Sequence, residues 1–199
     1  MGRFVSVYVV DLDEVHEAIG GDRDDIRMAV EDYECADKYA ADVAYFADHP
    51  AGERTPSMPE ALRAVIAGGP YRAGFDYRYN KAYRDICQTC SEGSASHGPY
   101  RGDWLSEVDR GFRSVGIDAI SFAAFEGDAP KGLPPIEDGG YGEWTHAQCV
   151  RAVAEWEAAS PQRIAALDRL VREWVGVGVD FAAMAAAKPG FGIAGFFTI

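Results

Sequence analysis

The sequence predicts an α+β fold, a mainly helical single domain over 1–199 with a small sheet of two or three strands. Three observations predict it. A β-branched and aromatic run opens the chain at residues 4–10, Phe-Val-Ser-Val-Tyr-Val-Val. Most of the remaining apolar residues recur at spacings of three and four, the period of a helix with one buried face. Strand-like and helix-like segments show no regular alternation, which argues against a parallel sheet wound with crossover helices.

The elements follow in order. Asp11 and Glu14 make a D-x-x-E helix start, and Gly20-Gly21 stops that helix. A second start at Asp22 leads into a stripe that begins Ile26, Val30, Tyr33 and runs to about Asp48, as one long helix or two. Residues 49–56 read as a linker, one of two candidate flexible segments. Ser57-Met58-Pro59-Glu60 is a capping box with proline in the first turn, and its helix runs over 58–67 to Gly68. The stripe Tyr79, Ala82, Tyr83, Ile86, Cys87 predicts a helix ending near Ser91, and Gly93 to Pro99 reads as a polar loop. Asp103 is placed to cap a helix with the face Trp104, Leu105, Val108, Phe112, Val115, stopped by Gly116. A strand is expected over 117–122. Residues 126–143 read as the second flexible segment, a long irregular loop of the kind that often carries function. Thr145 and Gln148 form another capping box, and Ser160-Pro161 starts a helix carrying Ile164, Leu167, Leu170, Val171 and Trp174. Gly176 and Gly178 are expected to end it, Asp180 to cap a short alanine-rich helix, and Phe191 to Ile199 to close the chain as a strand. The strands are expected to pair across the chain ends.

Composition narrows the function. The 199 residues carry 32 acidic and 19 basic groups, a net charge of −13, without a basic cluster. A phosphate backbone would be repelled, so no nucleic-acid partner is expected. No apolar run is long enough for a membrane span, and the N-terminus lacks the apolar core of a signal peptide. The M-G-x-x-x-[ST] pattern at Gly2 and Ser6 is read as part of a strand rather than an acylation site. A cytoplasmic protein with no membrane partner is the expectation. Cysteines 35, 87, 90 and 149 are too few and too unevenly spaced for a disulfide framework.

Named motifs are sparse. Cys87-Gln88-Thr89-Cys90 falls at a helix C-terminus, where the dipole disfavours a thiolate, so Cys87 is read as packed and Cys90 as part exposed. A zinc site completed by His97 with His146 or Cys149, and a redox pair, are the alternatives. No metal and no cofactor are expected. Gly190-x-Gly192-x-x-Gly195 has dinucleotide-loop spacing but leads into no helix, and no serine lies in G-x-S-x-G.

Three landmarks carry a resemblance. Tyr8-Val9-Val10-Asp11-Leu12-Asp13, Gly98-Pro99-Tyr100-Arg101-Gly102-Asp103-Trp104-Leu105 and Gly140-Tyr141-Gly142-Glu143-Trp144 together resemble a family of actinobacterial proteins of unknown function. The likeness spans most of residues 4–160 and implies a cytosolic bacterial protein without an active-site signature. The opening strand and the Gly-Tyr-Gly segment before a capped helix are also similar to small YfbM-like bacterial proteins.

Two functional classes remain. The first is a non-enzymatic binding or regulatory module, for a protein or a small polar ligand, with Tyr100, Arg101, Asp103, Trp104, Tyr141, Glu143 and Trp144 as candidate binding residues. Aromatics mixed with a few charges, in loops that enter helices, are the usual content of recognition surfaces. The second is a small hydrolase using a carboxylate pair such as Asp103 and Glu143, with Glu107 one turn after Asp103. The expectation leans away from an enzyme.

Overall fold

Residues 3–11 are buried continuously from Val5 to Val10 and form the strand β1 (Arg3–Asp11), the first element of a computed structural model that describes residues 2–32, 36–47, 55–136 and 139–198. The order continues with α1 (Leu12–Glu17), α2 (Asp24–Asp32), α3 (Ala36–Phe46), α4 (Met58–Ala67), α5 (Asp76–Thr89) and β2 (Gly93–Tyr100). Then come α6 (Trp104–Val115), a 3-10 turn (Phe122–Glu126), β3 (Gly139–Trp144), α7 (His146–Glu157), α8 (Pro161–Ala166), α9 (Arg169–Ala186) and β4 (Phe191–Thr198). The fold is α+β, as the sequence predicts. The sheet, however, has four strands in the order β2-β1-β4-β3, every neighbouring pair antiparallel, where two or three were expected.

The chain-end pairing holds. β1 lies beside β4 from Phe4↔Thr198 to Asp11↔Phe191, which puts the first and last strands at the centre of the sheet. The edges are the two strands that the sequence hides. Gly93 to Pro99 is not a loop but most of β2, and Pro99 is accommodated because an edge strand has an unpaired side. Residues 126–143 likewise contain the start of β3, which pairs with β4 from Gly139↔Thr198 to Trp144↔Ile193. Residues 49–54 of the linker-like stretch 49–56, with Tyr33 and Cys35, lie outside the described residues.

Cα proximity divides the chain into two compact units, Met1–Leu12 with Glu92–Gly127 and Gly139–Ile199, and Asp13–Ser91 with Asp128–Asp138. In the first unit one sheet face, carrying Val5, Val7, Val9, Ile193 and Phe197, is covered by α6, α7 and α9 and forms the main core. The other face carries an aromatic row in which Phe196 touches Tyr8 and Tyr141, at centroid distances of 5.8 and 5.0 Å. The second unit is helical. Its Ser57 N donates to Glu60 Oε2 (2.8 Å) in the expected capping box, and Gly68 closes α4 at φ 72°. Ile26 and Val30 are buried in this second unit and are not part of the core formed by α6 and the sheet.

Two more sequence expectations give way to packing. Residues 117–122 form no strand, although Ile117, Ala119 and Ile120 are buried. Carboxylates take the amide hydrogens of Asp118, Ala119 and Phe122 instead. Glu155 Oε2 accepts from Asp118 N (2.9 Å) and Ala119 N (3.0 Å), and Asp109 accepts from Phe122 N (2.7 Å) and Ala123 N (3.1 Å). Gly176 and Gly178 end no helix either: α9 runs through both, and Asp180 lies inside it rather than capping a new one. A Cβ on Gly178 would lie 2.6 Å from Phe112 Cζ, and one on Gly111 of α6 would lie 2.5 Å from Val171 Cγ1. These glycines let α6 and α9 cross at short range. The helix start at Ser160-Pro161 yields only the short α8, and a new N-cap at Asp168, accepting from Leu170 N (2.9 Å), begins α9.

Phe112 is fully buried and stacks against Phe122 at 5.9 Å. Phe112→Ala is expected to cost about 3–5 kcal/mol in denaturant unfolding. A loss below about 1 kcal/mol would contradict its place at the α6–α9 crossing.

Candidate functional site

The segment Pro99 to Trp104 joins the end of β2 to the start of α6 and walls two depressions of the first unit. On one side lies a cleft of about 280 Å³ lined by Pro99, Tyr100, Arg101, Trp104, Leu170 and Trp174. On the other lies a more polar depression of about 340 Å³, lined by Arg3, Gly102, Asp103, Leu105, Ser106 and Glu126.

Trp174 organises the first cleft. Its indole is met by Tyr100 at 5.8 Å and 83°, by Trp104 at 6.0 Å and 84°, and by Phe122 at 5.7 Å, all edge-to-face, with the His97 ring at 5.4 Å. Such edge-to-face pairs place the positive rim of one ring on the negative face of the next, which holds the walls rigid. Trp104 and Trp174 remain half-buried, while Leu170 and Arg101 are exposed. Two polar atoms beside this cluster are buried without a partner, the Tyr100 hydroxyl and His97 Nε2. Burial, then the nearby Glu126, pushes the Tyr100 phenol well above the ordinary tyrosine range, with Arg3 opposing. Burial also holds the His97 imidazole below its usual value.

The candidate residues read from the sequence separate into three groups. Tyr100, Arg101 and Trp104 come together in the aromatic cleft. Asp103 falls on the polar side; it occupies the N-cap position of α6, but its side chain makes no cap hydrogen bond, contrary to the capping role expected of it. Trp144 is buried in the main core, stacked on Phe125 at 4.9 Å with Nε1 donating to the Ser121 carbonyl (2.9 Å). Tyr141 and Glu143 alternate with Trp144 along β3 and so project from the opposite sheet face, where the Tyr141 hydroxyl donates to Glu143. Glu143 is not among the residues that line the depression holding Asp103.

The sequence reading missed Trp174, Leu170 and Pro99. Trp174 lies on the helical stripe with Leu167 and Val171 and is indistinguishable there from a core residue.

Cys87 is buried and Cys90 partly buried at the end of α5, as the helix C-terminal placement implied. Burial pushes the Cys90 thiol up to about 11 and that of Cys149 to about 12. Among the described residues, no group of three or more His, Cys, Asp or Glu side chains is placed to hold a metal ion. No described helix is long and apolar enough to cross a membrane. No curated protein and no solved structure matches the chain. A family model described as a domain of unknown function, DUF7691, matches residues 1–198, and the chain belongs to that family.

Proposed function

We propose that the protein is a ligand-binding module whose seat is the cleft between the end of β2, the start of α6 and the start of α9. The observation that carries this reading is the cleft's composition. Two half-buried indoles and an exposed leucine offer apolar area, and an arginine without an ion pair among the described residues stands at the same opening. Ligand seats are commonly concave and mostly apolar, with a few polar groups that orient the occupant. The occupant is a small molecule, since the cleft is too small for a protein surface.

A fragment screen read by the indole N–H signals of ¹⁵N-labelled protein tests the proposal. Fragments are expected to move the Trp104 and Trp174 signals while leaving Trp156 in place. Trp104→Ala should abolish the movement of Trp174, with an unchanged Trp144 signal reporting an intact core. A screen in which no fragment moves either indole, or in which Trp104→Ala changes nothing, would overturn it.

A further inference from the structure

We infer that the occupant of this cleft is a planar aromatic carboxylate; the inference rests on the cleft being the binding seat and adds the chemistry of what it takes. Size sets the first limit. A volume of about 280 Å³ is roughly nine times the ~30 Å³ share of one water molecule, which suits one or two fused rings with a short polar group. The walls set the second. Trp104 stands at 84° to Trp174, with Leu170 and Pro99 beside them, so a flat ring can lie on one indole and meet the other edge-on.

The charge of the ligand follows from what stands at the cleft. Arg101 is exposed, lines the opening and makes no ion pair among the described residues, and its guanidinium fork matches a carboxylate. Of the acids near these residues in sequence, Asp103 lines the other depression, Asp168 accepts from Leu170 N (2.9 Å), and Glu173 faces Arg169 at 3.8 Å. Burial disfavours the charged form of His97.

A cation held between aromatic rings is the competing chemistry, and the net charge of −13 would favour it at long range. Two magnitudes decide against it. Long-range fields are screened over about 8 Å at physiological salt, whereas Arg101 would act at contact distance. Trp174 also meets Tyr100 and Trp104 edge-to-face at 5.8 and 6.0 Å, leaving no gap between it and either neighbour for an ammonium group.

The test compares 2-naphthoate, 2-naphthamide and 2-naphthylmethylammonium by titration calorimetry, with the indole N–H signals recorded in parallel. On the wild-type chain the carboxylate is expected to bind about tenfold more tightly than the amide, and the ammonium more weakly than both. Arg101→Gln should bring carboxylate and amide to equal affinity, while Trp104→Ala should weaken all three. A carboxylate preference that survives Arg101→Gln, or stronger binding of the ammonium, would overturn the anion inference and leave the cleft reading standing. Absence of any shift at Trp104 and Trp174 with all three probes would overturn both.

Discussion

Replacing Asp109 by alanine is expected to destabilise the protein by about 3–5 kcal/mol. Asp109 is 3% exposed on α6, and its carboxylate accepts from the Ser121 hydroxyl (2.5 Å), Phe122 N (2.7 Å) and Ala123 N (3.1 Å). Hydrogen bonds to a charged acceptor contribute roughly 1.5–3 kcal/mol each, and a donor left buried without one costs about 1–3 kcal/mol. The three donors belong to the start of the 3-10 turn, which carries Phe122 and Phe125 into the core. Loss of the carboxylate therefore releases two aromatic anchors as well as three hydrogen bonds. Asp109→Asn keeps one acceptor oxygen and should cost about 1–3 kcal/mol, so equilibrium unfolding of the two variants separates acceptor loss from charge loss. Equal stabilities of Asp109→Ala and wild type would mean that the 117–126 segment is held by its apolar side chains alone.

The same residue marks a boundary of what the sequence reveals. Capped helices were legible because their signals are local: Ser57 with Glu60, and Thr145 with Gln148, act within one turn. The opening and closing strands were legible because β1 and β4 are buried along most of their length and are written in apolar residues. The edge strands were not, because Gly-Ser-Ala-Ser-His-Gly-Pro-Tyr carries turn chemistry and is extended only because β1 offers it a partner. The segment 117–122 failed the other way. Its apolar residues suit a strand, but its amides are claimed by Asp109 and by Glu155, 37 residues downstream of Asp118. The candidate site was half legible for a related reason. Tyr100, Arg101 and Trp104 are close in sequence and share the cleft, whereas Trp174 reaches it only through the crossing of α9 with α6. Tyr141 and Trp144 were grouped by proximity in the chain, and strand alternation sends them to opposite faces.

Gly142→Ala is expected to destabilise the protein by about 3 kcal/mol or more. The 3-10 turn lies directly on β3 and bonds to it through the Gly127–Tyr141 bridge, with Tyr141 N donating to Gly127 O at 3.0 Å. A Cβ on Gly142 would overlap the Ala124 carbonyl and stand 2.6 Å from its carbon, and one on Gly140 would meet Phe125 O at 2.5 Å and Glu126 Cα at 2.6 Å. Both obstacles are backbone, which cannot rotate away as a flexible side chain would. Across the ladder, Gly195 leaves room on β4 for the Phe125 ring. The glycines of Gly140-Tyr141-Gly142 thus resemble loop chemistry in the sequence while serving as a flat bed for the turn. Gly176, where a Cβ would meet nothing within 4 Å, supplies the contrast. Gly176→Ala removes unfolded-state freedom inside α9 and should stabilise by about 0.5–1 kcal/mol. Denaturant midpoints for the two variants should therefore move in opposite directions. If Gly142→Ala unfolds at the wild-type midpoint, the turn does not rest on β3, and Phe122 and Phe125 must reach the core by another route.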